Sequence, residues 1–228
     1  MTQLSEIPLA QKGLIVFGAR PGMGLTRTAI KLSYYLSLSE TVLFISYQTY
    51  EERLIRICED LNFKKPDTLI FDTSLDYYSF KEEYLYCLRR LVEEKKPKTL
   101  VVDDLDTMLG EHFELEESVR NELIEEIRSF INQKDMRCIM NVTISAKTDY
   151  RGGAHEPKLS DFTWCRQLVN AAAEIYTLYR PDYYGMSQDE YGNDLKGHMD
   201  INCVKDINCI EKKFTISCDK EFIIPYPN

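Results

Sequence analysis

The stretch FGARPGMGLTRTAIKLSYYL, residues 17 to 36, decides how the chain is read. An apolar run, GLIVFG at 13 to 18, leads into it, and glycines at 22 and 24 break the pattern. From residue 25 to 37 apolar positions recur three and four apart, the period of an amphipathic helix. Strand, glycine turn and helix in that order form the frame of a phosphate-gripping loop, G-x-x-x-x-G-K-[ST]. In such a loop, backbone N–H groups and the helix amino terminus face phosphate oxygens. Here Ala19 takes the first glycine position, Gly24 the second, Leu25 the lysine position and Thr26 the hydroxyl position that touches magnesium. The frame is kept, but leucine stands where the chemistry wants a cation. Gly and Pro also make ordinary strand-to-helix turns, so the loop by itself leaves that plainer reading open.

The surrounding pattern is that of an α/β protein. TVLFIS (41 to 46), TLIFD (68 to 72), TLVVDD (99 to 104) and RCIMNVTIS (137 to 145) are short runs apolar on both faces, as buried strands of a parallel sheet are. Helical spacing marks 50 to 61, 79 to 95 and 117 to 133 between them. Beyond residue 145 come a glycine-bearing loop at 147 to 160, a helical segment around 161 to 172 and a strand at 174 to 180. Two alternating segments, 199 to 206 and 209 to 218, complete a hairpin-like tail. One domain spanning 1 to 228 is expected from this length.

Composition narrows the function classes. Hydrophobic residues at 44% support a real core, and a formal net charge of -9 argues against a general nucleic-acid surface, which needs excess Lys and Arg. Seven scattered cysteines without a CxxC pair, and only three histidines, give no zinc-like spacing. Reduced thiols in a cytoplasmic protein are expected, with no secretory leader and no membrane span.

The wording of the segments carries a resemblance. ARPGMGLT resembles the ARPSMGKT-like loop of DnaB-type replicative helicases, in which alanine commonly opens the motif. TVLFISYQTYEE is similar to the second strand of that family, TLVVDDLDTM to its Walker B strand and VTISAKTD to its VALSQLNR-like strand. KLSDFTWCRQLVNAAAEIYTLYRPDYYG and MDINCVKDIN resemble its closing segments, so the likeness runs in order from about residue 10 to the end. It implies a RecA-like P-loop NTPase fold: a central, mostly parallel sheet flanked by helices, with a C-terminal β-hairpin. It also implies that ATP and Mg²⁺ are bound, if weakly, by Ala19, Arg20, Pro21, Gly22, Met23, Gly24, Leu25, Thr26, Arg27 and Asp103, with Thr26 and Asp103 on the metal.

The departures fall where that family does its chemistry. Leu25 offers neither charge nor donor to the phosphates. Gln48 stands at the position of the catalytic glutamate, and an amide cannot take a proton from water. Ala146 follows Ser145 where glutamine is the pattern, and Ile207 takes the place of an arginine finger, while Lys205 keeps a subunit-contact position. Arg20 and Arg27 flank the loop as candidate substitute cations. Asp104 and Asp106 read equally well as capping carboxylates after a strand.

Of the two loops matched to the family's DNA grip, GEHFELEES (110 to 118) is acidic, whereas 147 to 160 brings Lys147, Arg151 and Lys158 with Tyr150 and His155. Binding to single-stranded DNA is therefore expected to be weak or absent. The tyrosine pairs 34–35, 77–78 and 183–184 suit a contact surface or half-buried packing alike. Because the likeness starts near residue 10, no counterpart of the family's amino-terminal primase-binding domain and linker helix is expected. Expected partners are further copies of the chain or another replication ATPase. Three functions stay open: a catalytically weak or inactive accessory relative of the helicase ATPase, an active ATP-dependent translocase with relocated groups, and an interaction module that binds no nucleotide.

Overall fold

The computed structural model describes residues 2–75, 81–105, 108, 117–151, 155–162, 166–206 and 212–218. Eight strands form one sheet: β1 (Gly13–Ala19), β2 (Val42–Ser46), β3 (Leu69–Asp72), β4 (Thr99–Asp103), β5 (Arg137–Thr143), β6 (Glu174–Tyr179), β7 (His198–Lys205) and β8 (Lys212–Ser217). Their order is β3-β2-β4-β5-β1-β6-β7-β8. The six strands from β3 to β6 run parallel, and β7 and β8 pair antiparallel at one side, giving the expected hairpin.

The strands read as continuous apolar runs because helices cover both faces. Helices α1 (Leu25–Ser37) and α2 (Glu51–Asp60) pack Ala29, Ile30, Leu32 and Leu54 on the face that carries Ile15, Phe17, Val42, Phe44, Val101 and Ile139. Helices α3 (Lys81–Lys95), α4 (Glu117–Gln133) and α5 (Arg166–Ala171) cover the opposite face, onto which Leu14, Val16, Leu43, Leu100 and Met140 point. The alternation assigns each strand-end residue to a side: Ser46, Asp103 and Asn141 continue the α1 face.

Two elements end earlier than their sequence patterns. The strand in the run to residue 145 ends at Thr143: Ile144 N–H makes the last bond to β1, at the Ala19 carbonyl, and Ser145 then caps a 3-10 turn at Ala146–Tyr150. Of the expected helix over 161 to 172, Asp161 closes a 3-10 turn, Leu159–Asp161, and Arg166–Ala171 forms the short α5, with 163–165 outside the described residues. Among the described residues no helix is long and apolar enough to cross a membrane, and Cys58, Cys138 and Cys203 are buried thiols.

Candidate functional site

The glycine loop leaves the carboxyl end of β1 in the middle of the sheet, where β5 and β6 flank it and strands of both sequence halves meet, the usual place for a ligand in an open α/β sheet. Gly22 (φ 84°) and Gly24 (φ 86°) are in the left-handed region, which side chains with a Cβ adopt at a cost. At Gly22 the constraint is doubled, since an added Cβ would come within 2.9 Å of the Tyr183 ring. Tyr183 belongs to a 3-10 turn, Pro181–Tyr184, that lies against the loop. Gly24 is the N-cap of α1 and supplies no side-chain cap, so the first N–H groups of a 13-residue helix open onto the loop. An uncapped helix start behind two left-handed glycines suits a phosphate group.

The neighbouring strand ends complete the floor. Thr26, in the first turn of α1, donates its hydroxyl to Asp103 Oδ1 at 3.2 Å. Asn141, on β5, donates Nδ2 to the same oxygen at 2.6 Å. Asp103 is only 5% exposed. Burial pushes its carboxyl up to about 6; the Asn141 and Thr26 hydrogen bonds oppose that rise, and the adjacent Asp104 charge adds to it. A hydroxyl and a carboxylate at this separation are hard oxygen donors of the kind that hold Mg²⁺ together with phosphate oxygens. These residues fit a magnesium-bound nucleotide: Thr26 and Asp103 would hold the metal, and the amides from Gly22 to Thr26 would hold phosphates. The bound group would supply a phosphoanhydride bond open to attack by water.

The lysine position does something else. Leu25 is half-buried and packs against the hydrophobic cluster on the α1 side of the sheet. Neither flanking arginine reaches in to substitute. Arg20 turns to the far side, pairing with Asp149 at 2.8 Å and donating to the Ile144 carbonyl at 3.0 Å. Arg27 pairs with Asp60 on α2 at 3.2 Å. Pro21 is exposed, while Met23 and Ala19 are buried in the core beneath the loop. Gln48, exposed beyond the end of β2, donates Nε2 to Asp104 Oδ2 at 3.2 Å.

Arg20 is the first member of a network that spacing along the chain does not disclose. Asp149, held below the usual carboxylate range by Arg20, also accepts from Tyr184 Oη at 2.8 Å. Tyr184 in turn stacks on His155, ring centroids 4.4 Å apart. The glycine loop is thereby tied to the 147 to 160 segment. Within that segment Lys147 and Lys158 are exposed, whereas Arg151 is bound to Asp161 and to the Glu156 carbonyl. Lys158 lines a cleft of about 630 Å³ with Glu156, Asn202 and Lys213, in which Lys213 is paired with Asp200 at 2.8 Å.

Lys205 is half-buried. Its ammonium donates to the carbonyls of Val169 and Ala172, both at 2.6 Å, closing the last turn of α5. Burial lowers its pKa. Ile207, Asp106, residues 110–116 of the acidic loop and the pair Tyr77–Tyr78 lie outside the described residues. Asn141 is the site residue that sequence reading missed. Only its polarity within the apolar run RCIMNVTIS signalled a special role.

No protein-family model matches the sequence, and no curated protein matches it. Solved structures do. One, an ATPase domain, superposes with a TM-score of 0.75 at 17% identity, covering 95% of this chain and 84% of that one. Another, a DnaB-like replicative helicase whose structure addresses its interactions with primase, superposes with a TM-score of 0.74 at 17% identity. That match covers 91% of this chain but 56% of the helicase, so the present chain spans little more than half of it. The chain thus shares the fold of these two structures, a RecA-like arrangement of a mostly parallel sheet flanked by helices.

Proposed function

We propose that this chain binds a nucleoside triphosphate through Mg²⁺ and backbone amides, and hydrolyses it slowly or not at all. On this reading it serves as a regulatory or accessory component around DNA replication, acting with further copies of itself or with another replication ATPase. One observation carries the proposal: the Thr26–Asp103 contact of 3.2 Å at the glycine-capped start of α1 is kept, while the lysine position holds a leucine packed on the core. The metal end of a P-loop is thus separated from its phosphate-neutralising end. Amides and the helix terminus still favour anions, but without lysine the triphosphate charge must be met by the metal. Binding is therefore expected to require Mg²⁺.

The test is calorimetric titration with ATP in magnesium and in EDTA, alongside steady-state hydrolysis with and without single-stranded DNA. Micromolar-to-millimolar binding only in magnesium, without turnover approaching one per second, is the expected result. Absence of binding in either buffer would leave the loop as a scaffold turn and the chain as an interaction module.

A working translocase is a second reading, favoured by one contact. Asp104 follows the metal-side carboxylate directly and accepts from Gln48 at 3.2 Å, so a carboxylate stands beside the position from which the glutamate is missing. DNA-stimulated hydrolysis lost on Asp104→Asn would establish it.

A further inference from the structure

Three polar side chains lie on one face of the sheet directly beneath the start of α1. Ser46 is in register with Asp103 across the β2–β4 pair, and Asn141 reaches Asp103 from β5 at 2.6 Å. All three are buried: Ser46 is 2% exposed, Asp103 5% and Asn141 0%. Among the described residues, two atoms in this row have no hydrogen-bond partner, Ser46 Oγ and Asn141 Oδ1. Buried polar atoms are ordinarily satisfied, so a pair of them flanking one carboxylate indicates that something else fills their hydrogen bonds. A water needs two to four polar partners to be held in an interior, and this row provides them.

The charge balance says what the waters would belong to. Asp103 and Asp104 are consecutive carboxylates, and lysine, the residue that would stand over them in a complete P-loop, is absent. The loop's arginines are spent elsewhere, Arg20 on Asp149 and Arg27 on Asp60. A lysine ammonium at this position would repel a divalent ion at short range. Here nothing of like charge stands over Asp103 from the loop. A small hard cation that keeps several waters and takes one or two protein oxygens is the species this arrangement suits.

We propose that the site binds a magnesium-like divalent cation before any nucleotide, through Thr26 Oγ1 and the Asp103 carboxylate, with Ser46 Oγ and Asn141 Oδ1 holding waters of its shell. Asn141 acts as a positioning residue, fixing the carboxylate through the oxygen that Thr26 also contacts. The loss of lysine at 25 thereby changes the order of assembly, metal first and phosphate second. The proposal rests on the assignment of Thr26 and Asp103 to the metal made above, but does not need the nucleotide.

The experiment is titration of the nucleotide-free full chain with Mn²⁺ alone, free ion being counted by electron paramagnetic resonance, with Mg²⁺ as competitor. The wild-type chain is expected to bind one Mn²⁺ that Mg²⁺ displaces. Leu25→Lys is expected to weaken that binding by about tenfold or more, through like-charge repulsion at short range. Asn141→Val and Ser46→Ala should each weaken it several-fold, and Asp103→Ala should remove it. Leu25 sits in the half-exposed first turn of α1, so its variant keeps the test decisive if the buried ones fail to fold. Mn²⁺ binding that survives Asp103→Ala, or is equal in wild type and Leu25→Lys, overturns the proposal. A chain that binds magnesium-ATP but no Mn²⁺ alone overturns it while sparing the nucleotide function. One that binds Mn²⁺ at Asp103 but no nucleotide supports it and overturns that function.

Discussion

Replacing Asp103 by asparagine is expected to stabilise the fold at neutral pH, in the manner of a functional carboxylate kept in place at the expense of stability. The side chain is 5% exposed, and burial raises its carboxyl from an ordinary 3.8 to about 6 against the opposing hydrogen bonds from Asn141 and Thr26. The folded chain therefore holds a proton that the unfolded chain has released between those two values. Stability falls as pH rises through that window, and the full penalty is present above about pH 6. The interval corresponds to at most about 3 kcal/mol. Asparagine carries no charge to desolvate, and its carbonyl oxygen can accept from both Asn141 and Thr26, but a neutral acceptor holds them more weakly than a carboxylate, which offsets about 1 kcal/mol or more. A net gain of roughly 1–2 kcal/mol for Asp103→Asn near pH 7.5 remains, shrinking towards zero or reversing near pH 4. Urea denaturation of both proteins at the two pH values, without divalent ions, measures it. A stability difference that does not change with pH, or a variant less stable than wild type near neutrality, would refute the desolvation argument.

Two further outcomes follow from the loop's surroundings. Gly22→Ala should cost about 1–3 kcal/mol, since φ is 84° and the new Cβ would come 2.9 Å from the Tyr183 ring. Adding Tyr183→Ala should recover the clash but not the backbone strain, and a neutral single variant in thermal unfolding would contradict both. Arg20→Ala removes the half-buried pair with Asp149 and should cost about 1–3 kcal/mol. It should also speed amide hydrogen exchange over residues 144 to 151; exchange unchanged there would show that the network does not tie the glycine loop to that segment.

The strands and their order of occurrence were legible in the sequence because a sheet covered on both sides demands unbroken apolar runs, and RCIMNVTIS or GLIVFG can satisfy little else. The hairpin at the end was equally legible, from the alternation in MDINCVKD and KKFTIS. The glycine loop was marked by residues whose backbone freedom is local, and Gly22 and Gly24 adopt the left-handed conformation that only such residues take readily. These are short-range properties, set by a residue and its few neighbours along the chain.

The directions of the charged side chains were not legible. Arg20 flanks the loop in sequence yet is drawn to Asp149, and Lys205, at a subunit-contact position by resemblance, donates to the carbonyls that close the last turn of α5. Asn141 reaches Asp103, and Ser46 lies in register beside it, only because β2, β4 and β5, distant in sequence, lie side by side in the sheet. Sequence alone determined that this chain makes a parallel sheet with a glycine turn leading into a helix and no lysine behind it. Tertiary structure alone decided which polar groups share the space beneath that turn, because register across non-consecutive strands and the competition among carboxylates for each cation are settled by packing at long range.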